Sequence, residues 1–151
     1  MRFSGKIYKD GKFWLAEIPI LDAMTQGYTR KEALEMAVDM VETMANQAGF
    51  RVEVFLCPGD EFEIGASDTK SLVSFLLQRK RELSGLSLSQ AAERLGASSR
   101  NAYARYEQGR SVPTVTKFNE LLHAVCPDTD FVVKECVGPN QSLQRTANRV
   151  R

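Results

Sequence analysis

Histidine occurs once, tryptophan once and cysteine three times in 151 residues. The lone His123 falls in an amphipathic stretch, where a histidine is ordinarily a surface or structural residue. It has no second histidine to share a metal with. Cys57, Cys126 and Cys136 are odd in number and lack ligand spacing, which argues for reduced thiols rather than a disulfide framework or a zinc site. No apolar run approaches the roughly 20 residues that span a bilayer. The opening residues hold no apolar core followed by a cleavage site, so secretion is not indicated and a cytoplasmic protein with no membrane contact is expected. Glycine-rich phosphate loops, Ser/His pairs and Cys/His clusters are also missing. The expectation is a chain that is not an enzyme and that needs no metal and no cofactor.

What is present is ordinary in bulk and uneven in distribution. Hydrophobic residues make up 43% and charged residues 26%, normal for a globular chain of one domain or two small ones. Net charge is +1, yet residues 1–66 carry 7 basic and 11 acidic side chains, whereas residues 67–151 carry 13 and 8. A half with a net of −4 joined to a half with a net of +5 suggests two partners of different chemistry. The basic half suits a polyanion.

Within the basic half, residues 86–109 read as two short helices about a tight turn. Ser87 is an N-cap, and Gln90 closes a capping box with it. Leu88, Ala91, Ala92 and Leu95 follow at i, i+3, i+4 and i+7, one buried face. Gly96 stops the first helix, because a residue without Cβ enters the left-handed region cheaply. Ser98 or Ser99 caps the second helix, and Gly109 ends it. Helices this short need each other and a neighbour, which is a helix-turn-helix arrangement. Its second helix offers Arg100, Asn101 and Arg105 on the side away from Ala102, Tyr103 and Tyr106. Arginine can bond O6 and N7 of guanine, and asparagine N6 and N7 of adenine. Ser87, Ser98, Ser99, Arg100, Asn101 and Arg105 are the candidate DNA-binding set, and a merely solvated face is the competing reading.

The stretch from Ser87 through Gly96 to Tyr106-Glu107-Gln108-Gly109, followed by Pro113 and a further amphipathic helix, resembles the helix-turn-helix of the phage-repressor (Cro/C1, or XRE) family. The likeness covers roughly residues 70–125. It implies an all-α DNA-binding unit over 68–126. Two departures stand out: Leu88 sits where the family often has glutamine, and the Gly96–Gly109 spacing is one residue longer than usual.

The acidic half reads as β-β-β-α-β over residues 1–58, an α+β layer. Phe3–Lys9 alternates as a strand, Asp10-Gly11 turns the chain, and Phe13–Ile18 returns. Ile20–Asp22 is a loop, with a short third strand at Ala23–Gln26. A Thr29-x-x-Glu32 capping box starts a helix expected to run to about Gln47 and to stop at Gly49. A strand follows at Phe50–Leu56. Residues 59–67, acidic and glycine-bounded, read as a linker. A helix is expected over Thr69–Leu83, with Leu72, Phe75, Leu76 and Leu83 inward and Arg79, Lys80 and Arg81 favouring its negative end. The closing helix, Val115–Val125, turns Val115, Phe118, Leu121, Leu122 and Val125 inward. Residues 127–137 are a candidate dimerisation strand, and 138–151 are expected to be a disordered tail.

The hairpin Lys6–Glu17, then Glu17-Ile18-Pro19, Asp22, Thr25-Gln26-Gly27 and Thr29, Glu32, Ala33, Leu34, resembles the N-terminal domain of the HicB antitoxin family. That family's domain is partly ribonuclease-H-like, and some members carry a C-terminal helix-turn-helix. The resemblance implies an antitoxin that masks a HicA-type mRNA-cleaving toxin and represses its own operon at operator DNA, as a homodimer or higher homo-oligomer. Toxin-contact residues are not readable; Phe13, Trp14 and the loop Ile20–Met24 are candidates by exposure alone, and Trp14 fits the core better. The alternative is a stand-alone phage-repressor-like regulator whose first domain oligomerises or senses a ligand. Nuclease chemistry would need carboxylates converging on metal ions, and Asp10, Glu17, Asp22, Glu32 and Glu35 are better explained by solvation.

Overall fold

The computed structural model describes residues 1–136, so the tail expected over 138–151 lies outside the described residues. The N-terminal half is a five-stranded, fully antiparallel sheet in the order β3-β2-β1-β5-β4. Its strands are β1 (Arg2–Asp10), β2 (Phe13–Ile18), β3 (Ala23–Gly27), β4 (Val52–Leu56) and β5 (Glu61–Ala66). Helix α1 (Arg30–Ala45) packs on one face. Period-two alternation decides that face. Phe3, Ile7, Ala16, Ile18, Phe62 and Ile64 are buried, and they meet Ala33, Ala37, Val41 and Ala45 of α1 in one core.

The small residues of α1 let it lie close to the sheet, and Gly27 lets its first turn lie closer still. A Cβ on Gly27 would sit 2.5 Å from the Ala33 amide nitrogen and 2.9 Å from the Glu32 carbonyl carbon. The Thr29 cap forms as expected, accepting from the Glu32 amide at 3.1 Å. The Glu32 carboxylate reaches one residue further back, to the Tyr28 amide at 2.7 Å. The helix ends earlier than the sequence suggested. Asn46 takes the left-handed conformation with φ 46°, and Gly49 serves the following turn.

The largest correction concerns residues 59–67, which are not a linker. Residues 61–66 form β5, inserted between β1 and β4 in the interior of the sheet. Phe62 and Ile64 supply buried apolar side chains on alternate positions. Only Ser67 and Asp68 separate β5 from α2 (Thr69–Leu83), whose first turn Asp68 caps through the Lys70 and Ser71 amides. The two halves are therefore one packed body. Phe75 of α2 lies 5.8 Å from Phe50 of the N-terminal half. Leu21, in a 3-10 turn at Pro19–Leu21 rather than a simple loop, is fully buried. Arg79 of α2 donates to the Leu21 carbonyl at 2.9 Å and the Asp22 carbonyl at 3.2 Å.

Helices α3 (Leu88–Arg94), α4 (Asn101–Glu107) and α5 (Val115–Val125) complete the chain. Val115 and Leu83, expected inward, are exposed, and Leu77 takes the inward place on α2. Residues 126–136 contain no strand, so the candidate dimerisation strand does not form over its described part, and Val137 lies outside it. Phe131 instead packs at the edge of the core, with the Lys80 ammonium 5.8 Å from its ring centre.

Candidate nucleic-acid interface

Local chemistry sets the geometry of α3 and α4. Ser87 accepts from the Gln90 amide at 3.1 Å while the Gln90 side chain accepts from the Ser87 amide at 2.8 Å, a complete capping box. Ala91 and Ala92 are buried where α3 packs against its neighbours. Gly96 takes φ 73°, and the Ala97 amide bonds back to the Ala92 carbonyl, so the chain turns sharply out of α3. Ser99 accepts from the Asn101 amide, fixing the entry into α4. Gly109, φ 66°, closes α4 while the Arg110 and Ser111 amides bond to the Arg105 carbonyl.

The buried side of α4 is pinned at three points. Tyr103 is fully buried, and its hydroxyl donates to the Leu77 carbonyl of α2 at 2.9 Å. Burial and the nearby Glu107 carboxylate push that phenol well above its ordinary range. Glu107 receives two bonds from the Arg81 guanidinium, both 2.7 Å, with side-chain exposures of only 9% and 15%. Arg81 also donates to the Leu86 carbonyl at 2.8 Å, so one guanidinium ties together α2, the turn before α3 and the end of α4. Such a planar fork matches a carboxylate in a way lysine cannot.

Arg79 and Arg81, expected to favour the end of their own helix, are both engaged by tertiary contacts. Glu107 stood in the sequence as part of a motif, and its anchoring role was missed. The available signal was an acid placed one and four residues after the buried Tyr106 and Tyr103. Arg81 likewise follows Leu77 by four residues.

The opposite side of α4 faces water. Ser98, Ser99, Arg100 and Asn101 are exposed at its N-terminal end, and Arg105 is exposed one turn later. Arg100 occupies the cap position with helical backbone angles, and its side chain makes no cap bond. Arg105 lies over the Tyr106 ring at 4.8 Å and donates to its hydroxyl at 2.9 Å, which orients the guanidinium without covering it. Ser87 is exposed but spends its hydroxyl oxygen on the cap. Five of the six candidates therefore share the α4 side, and Ser87 lies at the start of α3. A helix held at its back and presenting Arg and Asn from its N-terminal turn has the form that enters a DNA major groove.

Other chemistry-bearing residues stay apart. His123 is 3.7 Å from an exposed Asp130. Glu32 serves a helix cap and Glu35 pairs with Lys31 at 3.7 Å. Among the described residues no three His, Cys, Asp or Glu side chains converge to hold a metal ion, and no helix is long and apolar enough to cross a membrane.

No curated protein matches the chain. Residues 77–124 match a family model described as helix-turn-helix, from the last two turns of α2 to the end of α5. That part of the chain is a helix-turn-helix of the Cro/C1 type, the module of sequence-specific DNA-binding regulators.

Proposed function

We propose that this chain is an antitoxin and autorepressor: α3 and α4 bind operator DNA, and the acidic N-terminal half neutralises a HicA-type mRNA-cleaving toxin. The observation that carries the reading is the exposed Arg100, Asn101 and Arg105 on a recognition helix locked from behind by Tyr103 and Glu107. The toxin half rests on the HicB resemblance of residues 1–58 and on the net of −4 over residues 1–66. In this reading the chain catalyses nothing itself, and it acts as a dimer, because two recognition helices reach half-sites about one helical turn apart.

The test is fluorescence anisotropy with the chain's own upstream DNA across a salt series. Arg100→Ala is expected to cost about 1–3 kcal/mol at the cognate site and to relax the preference for one base position. A uniform loss over all sequences, with a shallower salt slope, makes Arg100 a phosphate contact. No preference for any fragment of its own locus over random DNA removes the repressor reading.

A stand-alone regulator has one observation in its favour. A cavity of about 470 Å³ lies between the start of β1, α2, α5 and residues 131–136, lined by Phe3, Leu76 and Phe118 and by Arg2, Glu63 and Lys134, a volume suited to a small ligand.

A further inference from the structure

The sheet has a second face, and among the described residues no helix covers it. Register places Tyr8 beside Leu15, and Asp10 beside Phe13, on that face. Leu15 pairs onward with Gln26, and Glu17 with Met24. Met24 is 57% exposed, Tyr28 66% and Tyr8 37%. The Phe13 and Tyr28 rings lie 5.2 Å apart. This is a strip of aromatic and thioether side chains left in water, the residue types that dominate interface centres.

The strip is bordered by acid. Lys6 lies in register between Glu17 on one side and Glu61 on the other. Glu63 is engaged by Arg2, which bonds it at 2.9 Å and stacks 3.5 Å from the Phe55 ring. Asp10 and Glu53 add further carboxylates, so the strands set Asp10, Glu17, Glu53, Glu61 and Glu63 against Arg2 and Lys6, with Lys12 over the Phe13 ring at 5.0 Å and Lys134 and Glu135 at the β4 end. Residues 134–136 lie along the β4 and β5 end of the face, beside Arg2, Phe55, Glu61 and Glu63, and Glu63 is buried there. Among the described residues, the end carrying Met24, Tyr8 and Tyr28 is open.

We propose that this uncovered sheet face, centred on Tyr8, Met24 and Tyr28 and ringed by Asp10, Glu17 and Glu61, docks a basic protein partner. The apolar strip supplies the water-excluded centre, and the carboxylates steer and align lysine or arginine side chains at the rim. The proposal rests on the antitoxin reading for the identity of that partner, the toxin. The opposite, helix-covered side also carries exposed acids, Glu35 and Asp39, but they stand on α1 without an aromatic strip. Charge alone would not choose between the two sides; the strip does.

The test uses the full chain and the product of a neighbouring short, basic reading frame, its catalytic histidine changed to alanine, in titration calorimetry. Three variants are compared with the native chain: Met24→Ala/Tyr28→Ala, Glu17→Lys/Glu61→Lys, and Glu35→Lys/Asp39→Lys. The first two are expected to weaken binding at least tenfold, and the second also to flatten its salt dependence. The third is expected to stay within twofold. Glu17 is half-buried and the other substituted side chains are exposed, and an unchanged melting temperature checks that the fold survives. Toxin binding by the native chain that the first two variants leave intact overturns the docking face while the antitoxin reading stands. Failure of the native chain to bind removes the antitoxin reading and this proposal with it. A fall in molar mass of the partner-free chain on Met24→Ala/Tyr28→Ala gives the face to a second copy. A tenfold gain in toxin affinity on truncation after Cys136 gives it to the chain's own C-terminal residues. Either result overturns the proposal.

Discussion

Replacing Glu107 by alanine removes one member of a buried ion pair and leaves the other in place. Arg81 would keep its bond to the Leu86 carbonyl but lose both 2.7 Å bonds to the carboxylate. An uncompensated buried charge costs about 3–5 kcal/mol. Arg81 retains 15% side-chain exposure, so some rehydration is open to it, and the low end, about 3 kcal/mol, is expected. For a chain of this length that lowers the melting temperature by roughly 6–12 °C. The double change Arg81→Met/Glu107→Leu is expected to recover most of the loss, because an apolar pair of similar volume needs no counter-charge. Chemical denaturation of the native chain, Arg81→Met, Glu107→Leu and the double variant closes the cycle, with a coupling of about 2 kcal/mol or more. Operator affinity of Glu107→Ala is expected to fall at temperatures where the protein is still folded, although every exposed α4 side chain is intact. A loss below about 1 kcal/mol for Glu107→Ala, or strictly additive single changes, would refute the idea that this pair fixes the recognition helix.

Three further outcomes follow from close packing, from capping and from the exposed recognition surface. Gly27→Ala and Gly5→Ala are each expected to cost near the top of the roughly 1–3 kcal/mol range for overpacking. At Gly27 the added carbon meets α1 backbone, 2.5 Å from the Ala33 amide nitrogen, and at Gly5 it meets the fully buried Phe62 ring, 2.3 Å away. A denaturation midpoint equal to that of the native chain for either variant would contradict this. The Asp68 carboxyl is held below its ordinary value, first by the Ser71 hydroxyl and then by the Lys70 and Ser71 amides. Its contribution is therefore complete above the unfolded carboxylate value, about pH 4, and is lost as pH falls through the lower folded value. Asp68→Ser is expected to keep the cap and flatten that part of the acid limb in melting curves, whereas Asp68→Ala lowers stability near neutrality as well. For Arg100→Ala, the split between base-specific loss and uniform loss in the salt series assigns the contact.

Much of the recognition unit was legible in the chain because its instructions are local. Ser87 and Gln90 cap each other across three residues, Thr29 caps α1, and Gly96 and Gly109 take positive φ where each helix stops. The α2 and α5 boundaries follow from the same kind of signal. The exposed set at the start of α4 was readable in part: helical periodicity puts Asn101 and Arg105, four residues apart, on one face, whereas Arg100, three residues before Tyr103, is exposed because it stands at the helix start.

Tertiary structure decided the rest, because the deciding partners are far apart in sequence. Residues 61–66 alternate Glu61, Phe62, Glu63, Ile64, a strand pattern in isolation, yet glycines and acids on either side suggested a linker. Its identity as an interior strand depends on pairing with β1, from Arg2–Gly65 to Lys6–Glu61, and with β4 on its other side. Arg79 and Arg81 belong to one cationic run, yet one grips the carbonyls of Leu21 and Asp22 and the other Glu107. No periodicity of a helix tells a guanidinium which distant acceptor it will meet. Local propensities chose the elements and their ends, whereas the order of the strands, the union of both halves into one core and the uncovered sheet face came from long-range packing that only the folded chain contains.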